Sequence, residues 1–246
     1  MKTIVKKFLR LLCGLAIMSF GSAMALVADL GMEPWDVLND GMAKFLRQFI
    51  DIKLSNGADL VTFGRANITI GLVILLIDIL LREKVGIGTF INILLCGHIV
   101  DFCTGDKFPG FALLPDFRGL PMTESFLPRL ALCVFSILPA VFGMYFYMSA
   151  RLGSGPRDGL MCALTRRSKK LPVGAIRLML EGGALVIGWL LGGTVGLGTI
   201  ILVCLSGPAT QLIFHLAKFE VKNLRHETIP ETLESFRQAA KSGKSV

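Results

Sequence analysis

Arg177 and Glu181 stand four apart in the otherwise apolar run 173–191. That spacing puts a guanidinium and a carboxylate on one helix face, where they can pair. Ionisable groups inside a lipid-spanning helix are costly and usually serve function. Two readings are open: the residues neutralise each other, or Arg177 meets an anionic substrate. Asp78 is the one charge in the run 68–81 and has Arg82 four residues on, which makes it either a surface pair or a proton-coupling site. His98 and Asp101 are three apart near the end of another run. They are placed either to relay a proton or to pack.

Two further motifs occur twice. Leu30-Gly31-Met32-Glu33-Pro34-Trp35-Asp36-Val37-Leu38 matches Leu152-Gly153-Ser154-Gly155-Pro156-Arg157-Asp158-Gly159-Leu160 at an offset of 122, and Val85-Gly86-Ile87-Gly88-Thr89 matches Val195-Gly196-Leu197-Gly198-Thr199 at an offset of 110. In the first motif a glycine ends one helix. Pro34 or Pro156 then opens the next, where a missing N–H costs nothing. Asp36 and Asp158 fall in the first turn, where free N–H groups and the helix dipole favour a carboxylate. The helices expected to follow, 35–50 and 157–167, are too short to span a bilayer. The first carries Leu38, Met42, Phe45, Leu46 and Phe49 on one face. They read either as interfacial helices with a capping Asp or as broken, re-entrant helices lining a cavity; Gly/Pro interruptions at matching places in two halves point to a transporter site. The second motif is a tight hairpin with a Thr that can cap the next helix. Its alternative role is to offer the N–H groups of Gly88, Thr89, Gly198 and Thr199 to an anion or a carbonyl.

The elements that must position these residues are set by composition. Of 246 residues, 53% are hydrophobic and 18% charged, and mean hydropathy is +0.65. Charge near 25% is usual in soluble domains, so soluble, disordered and fibrous classes are excluded. Runs 130–148, 173–191 and 195–216 have the length of a bilayer crossing, and runs 68–81 and 85–100 are a little short of it. The first 30 residues have the look of a secretory signal, with Ala23-Met24-Ala25 as a cleavage site. The apolar stretch continues through Ala28, however, and the repeat needs it as a span. The expected fold is therefore all-α, with six transmembrane helices forming two three-span repeats, 1–110 and 111–217, and a polar tail over 218–246. An odd number of spans per repeat makes the second copy inverted. With both termini cytoplasmic, 18 of the 26 Lys and Arg fall inside and 7 outside, leaving Arg177 within a span, in accord with the positive-inside rule. The net charge of +8 is thus a topological signal and implies no nucleic-acid partner. The six cysteines form no CxxC pair and the three histidines have no ligand spacing. No metal or cofactor is expected, and no catalytic motif suggests an enzyme.

The pattern LGxGPxDxL, a charged RxxxE span, LGGxxGxGT and a late SGP (Ser206-Gly207-Pro208) resembles the YczE-like family of bacterial integral membrane proteins and, more loosely, the YitT-like proteins. The likeness covers about 25–214 and departs where Glu33 replaces the motif's second glycine. It implies a multi-pass protein of the bacterial cytoplasmic (inner) membrane and no particular activity. The leading expectation is a small secondary transporter or permease for a small anionic or polar solute, with its site between the repeats. The alternative is a non-transporting sensor or an assembly or secretion accessory.

Overall fold

The computed structural model describes residues 2–50, 52–53, 59–106, 113–115, 117–118, 122–153, 155–168, 173–219 and 227–234. Among the described residues the named helices are, in order, α1 Lys2–Ala28, α2 Pro34–Arg47, α3 Phe63–Leu80, α4 Ile87–Thr104, α5 Met122–Ser149, α6 Pro156–Arg167, α7 Val173–Leu190 and α8 Leu197–Leu216. Among the described residues, five helices are long and apolar enough to cross a membrane: Ile4–Ala28, Phe63–Leu80, Ile87–Thr104, Ser125–Ser149 and Leu197–Leu216.

The centre of the bundle is the α1–α5 pair. Added Cβ atoms at Gly21 would meet Ser136 and Ala140, whereas at Gly143 they would meet Gly14 and Met18, so the two helices run antiparallel. The contact is also reciprocal at the offset of 122, because Ser136 corresponds to Gly14 and Ala140 to Met18. Small residues let lipid-embedded helices approach backbone to backbone, where packing and not the hydrophobic effect holds them. The first helix is thus part of the core, with Leu11, Leu15 and Val27 fully buried. Gly143→Leu would place its Cβ 2.3 Å from the Met18 nitrogen, an overlap with backbone that rotamer changes cannot relieve. We expect it to cost about 1–3 kcal/mol, read as a lower melting temperature in detergent; an unchanged melt would contradict the close α1–α5 approach.

The two LG motifs break the chain in the same way. Gly31 has φ +107° and Gly153 +149°, conformations that only glycine adopts without strain. Pro34 and Pro156 then begin α2 and α6. Each break docks on the hairpin of the other half: Gly198 N donates to Leu30 O at 2.7 Å, and Gly88 N donates to Leu152 O at 2.8 Å. The short helices cross over in the same manner. α2 packs on α7 and α6 on α3. Asp40 of α2 accepts from the Thr194 backbone N and hydroxyl, both at 2.8 Å, while Arg166 of α6 pairs with Glu83 at 3.0 Å.

α2 departs from expectation in extent and orientation. It ends at Arg47, not at residue 50, and it buries Asp36, Asn39, Asp40, Gly41 and Ala43. Phe45 (37% exposed) and Phe49 (72%) point outward. The apolar face is thus divided: Leu38, Met42 and Leu46 pack against buried clusters, while Phe45 and, past the helix end, Phe49 stay at the periphery, as a lipid surround favours. Near the other end of the bundle, Glu227 pairs with Lys7 and donates its N–H to Arg151 O at 2.8 Å. This ties the segment after α8 to the start of α1 and the end of α5.

Candidate functional site

A cavity of 430 Å³ lies between the starts of α2 and α6. Its wall follows the repeat: Pro34 and Asp36 face Pro156 and Asp158, Trp35 corresponds to Arg157, and Asn67 to Arg177. The proline breaks position these residues by ending α1 and α5 short and starting new helices whose first turns project into the bundle.

Arg157 crosses between the halves. Its guanidinium lies 5.2 Å from the centre of the Trp35 ring and 3.6 Å from Asp36 Oδ1. Tyr147 donates its hydroxyl hydrogen to Asp158 Oδ2 at 3.0 Å and accepts from Gly155 N at 2.8 Å. Both aspartates lie in the first turn of their helices, as expected, and their carboxylates meet cavity partners there. Glu33 lines the same space. Desolvation pushes its carboxyl up to about 7, helped by the charge of Asp36 and opposed by Arg157.

Arg177 and Glu181 also line the cavity and do pair, Nε to Oε1 at 2.7 Å, with side chains 63% and 30% exposed. So open a pair contributes about 0–1 kcal/mol. Arg177→Met, Glu181→Leu and their double variant should therefore melt within about 4 °C of the parent, using about 2–4 °C per kcal/mol for a chain this size. A double variant that is stable and correctly inserted yet inactive would give the pair a functional role; loss of stability in either single would show that the pair is structural.

The hairpin residues lie elsewhere. The N–H groups of Gly88 and Gly198 are spent on the opposite half's carbonyls, and those of Thr89 and Thr199 on Gly86 and Gly196, so they have none to offer an anion. Asp78 is 2% exposed, sits beneath Gly159 of α6 and has one oxygen without a hydrogen-bond partner among the described residues. No Asp78–Arg82 pair occurs among them. Asp101 is held by Thr62 Oγ1 at 2.6 Å and Gly64 N at 2.7 Å, while His98 is on the exposed side of α4. The two do not form a relay. Among the described residues no group of His, Cys, Asp and Glu could hold a metal.

The two sides of the cavity differ. Gly64 of α3 lies against Gly97 of α4, and the Thr62–Asp101–Gly64 hydrogen bonds clamp that end. Phe63, 3% exposed, lines this cavity and also a second one of 250 Å³ that carries Asp29, Asp40 and Asp106, so it is the septum between them. The corresponding helices α7 and α8 do not pack like α3 and α4. A Cβ added at Gly207, the counterpart of Gly97, would meet nothing within 4 Å outside its own helix, and Val203 is 48% exposed where its counterpart Ile93 is 3%.

Trp35, Tyr147, Asn92 and Arg157 were not singled out by sequence. Arg157 carried the one available signal, a cation inside the repeated motif. The other three are ordinary residues in apolar or interfacial surroundings.

No solved structure matches the chain. Among curated proteins it is similar to an uncharacterised protein of Haemophilus influenzae, 30% identical over 206 residues, 84% of this chain and 82% of that one. It is also similar to the uncharacterised membrane protein YczE of Bacillus subtilis, 27% identical over 79% of each chain, and to the uncharacterised protein YyaS of the same organism, 23% identical over 86% of this chain and 95% of that one. These likenesses agree with the motif resemblance, and with residues 5–215 matched end to end the chain belongs to the family of unknown function DUF6198.

Proposed function

We propose that the protein is a small secondary transporter of the bacterial cytoplasmic membrane, with α1, α3, α4, α5, α7 and α8 as six spans in two inverted repeats and the 430 Å³ cavity as its solute site. α7 joins the other five as an 18-residue apolar helix that carries the Arg177–Glu181 pair. Both termini are cytoplasmic on this reading, as the distribution of Lys and Arg favours. The observation that carries it is the asymmetry of equivalent helix pairs around a cavity walled by equivalent residues: α3–α4 closed, α7–α8 open. Alternating access between inverted repeats predicts such a difference, because one repeat adopts in turn the arrangement of the other. An accessory or sensor role would be served by a solid bundle, and the polar cavity at the centre favours transport over it. Fold alone does not assign an activity.

Topology is tested first. In a cysteine-free background, position 55 should react with an impermeant maleimide added outside cells and position 242 should not; the reverse pattern would overturn the orientation. The transport reading is tested by reconstituting the full chain in vesicles with the cytoplasmic side accessible and measuring solute counterflow. In the same vesicles a cysteine at Ser206 should be labelled from the α7–α8 opening and be protected by a transported solute. Absence of counterflow for every solute that gives protection would refute transport.

A further inference from the structure

We propose that the cavity binds an organic cation bearing an amine or guanidinium group, seated between the carboxylates of Glu33 and Asp158. The proposal deepens the transporter reading by naming its solute class, and the binding it predicts is measured apart from transport.

Size comes first. At 430 Å³ the cavity is in the range of small-molecule sites, about 300–1,000 Å³, and far exceeds the roughly 30 Å³ share of one water. A metabolite-sized solute fits it better than a bare ion.

The charge balance comes next. Four carboxylates, of Glu33, Asp36, Asp158 and Glu181, face two guanidinium groups, of Arg157 and Arg177. Arg177 is taken by Glu181 at 2.7 Å and Arg157 by Asp36 at 3.6 Å. Asp158 receives the phenol of Tyr147 and no cation. The Glu33 side chain has no hydrogen bond or ion pair among the described residues. Two carboxylates therefore lack a direct ion-pair partner and feel the two arginines only at longer range, in a lipid-embedded protein where a poorly compensated charge is expensive. An anionic solute would worsen that balance and a cation would restore it. Arg177, the group expected to meet an anion, is already paired and is the more exposed of the two arginines.

The chain itself shows which cation chemistry the wall accepts. Arg157 lays its guanidinium on the Trp35 face and beside Asp36, the aromatic-plus-carboxylate seat that recognises cations elsewhere. Ser19, 2% exposed, lines the cavity with its hydroxyl next to Cys96. The amides of Asn67 and Asn92 line the same space and can orient a polar solute.

The pH dependence has a definite sign. The groups acting on Glu33 are Asp36 and Glu181, which oppose its ionisation, and Arg157 and Arg177, which favour it. Its carboxyl ionises near 7, so cation binding should strengthen as pH rises through 7 and weaken below it, each binding event releasing part of a proton.

The test uses the purified full chain in detergent, with agmatine and putrescine as cationic probes and succinate as the anionic one, followed by calorimetry at pH 6 and pH 8. Agmatine or putrescine should bind, at least threefold tighter at pH 8, and succinate should not. Glu33→Gln should weaken cation binding at least tenfold and flatten the pH dependence. Should that variant fail to fold, Asp158→Asn should give the same weakening. Succinate binding in preference to the cations, or no binding of either cation to the folded parent up to 10 mM, would overturn the proposal. Cation binding without counterflow in vesicles would leave the proposal standing and refute transport instead, so the two failures are distinguishable.

Discussion

In an Asp101→Ala variant, a cysteine at position 67 should react with an impermeant maleimide from the Asp29 side at least ten times faster than in the Asp101 parent. The argument starts from what Asp101 holds. One oxygen accepts the Thr62 hydroxyl at 2.6 Å and the other accepts Gly64 N at 2.7 Å. Thr62 in turn caps α3 by accepting from Arg65 N at 3.2 Å. Hydrogen bonds to a charged acceptor contribute roughly 1.5–3 kcal/mol each, so the clamp is a substantial part of what presses Gly64 onto Gly97. The equivalent positions in the second half are Pro172 and Gln211, which cannot reproduce it, and there the helices stand apart. Losing the clamp should let α3 and α4 separate and should draw the Phe63 septum aside, joining the two cavities. Asp101→Asn retains one acceptor oxygen and should give an intermediate rate. Equal labelling in all three backgrounds would show that helix packing alone closes this end.

The repeated motifs made most of the architecture readable before any coordinates. A glycine followed by a proline three residues later says that a helix stops and another starts, and α2 and α6 begin at Pro34 and Pro156 as the pattern requires. The hairpins were readable as turns but not as docking surfaces. Nothing near Gly88 announces that its N–H will be taken by Leu152 O, a partner 64 positions away in the other half. The first-turn placement of Asp36 and Asp158 was readable, but their side-chain partners were not, for a related reason. A first-turn carboxylate satisfies local N–H groups only when no better partner is near, and here Arg157 and Tyr147 are. Periodicity gave the apolar face of α2 but not how it is shared: Leu38, Met42 and Leu46 turn to buried clusters, and Phe45 turns outward.

Asp78 falls outside both kinds of signal. Gly159, at the position matching Val37, leaves room for its carboxylate, and Gly188 holds the corresponding place on α7 against Val37 and Leu38. The same interhelical contact thus holds a carboxylate in one half and only backbone in the other, a difference visible only once the two halves are aligned residue by residue.

The largest loss of stability should come from Arg129. This arginine is 2% exposed in α5, with Asp29 Oδ2 3.6 Å from Nη1. It donates from Nε to Ser125 Oγ at 2.9 Å and from Nη2 to Phe117 O. Phe117 N in turn donates to Val27 O at 3.1 Å, so Arg129 fastens the segment between α4 and α5 over the end of α1. Its counterpart at the offset of 122 is Lys7, which pairs with Glu227 at the opposite end of the bundle. Each half thus has a cation near the start of its first helix tied to a carboxylate, but only Arg129 is fully enclosed. Removing one partner of a buried pair costs about 3–5 kcal/mol. Asp29 is 30% exposed and can recover some hydration, so Arg129→Met should lie near the lower figure, about 3 kcal/mol. At about 2–4 °C per kcal/mol, that is a fall of roughly 6–12 °C in detergent melting. Arg129→Lys keeps the charge but not the planar fork that reaches Ser125 and Phe117 together, so it should recover about half of the loss. Asp29→Asn combined with Arg129→Met closes a double-mutant cycle, in which the double variant should lose less than the sum of the two single losses because the residues are in contact. Fully additive losses would show that Arg129 and Asp29 act independently and would overturn the argument for Arg129 as the counter-charge of Asp29.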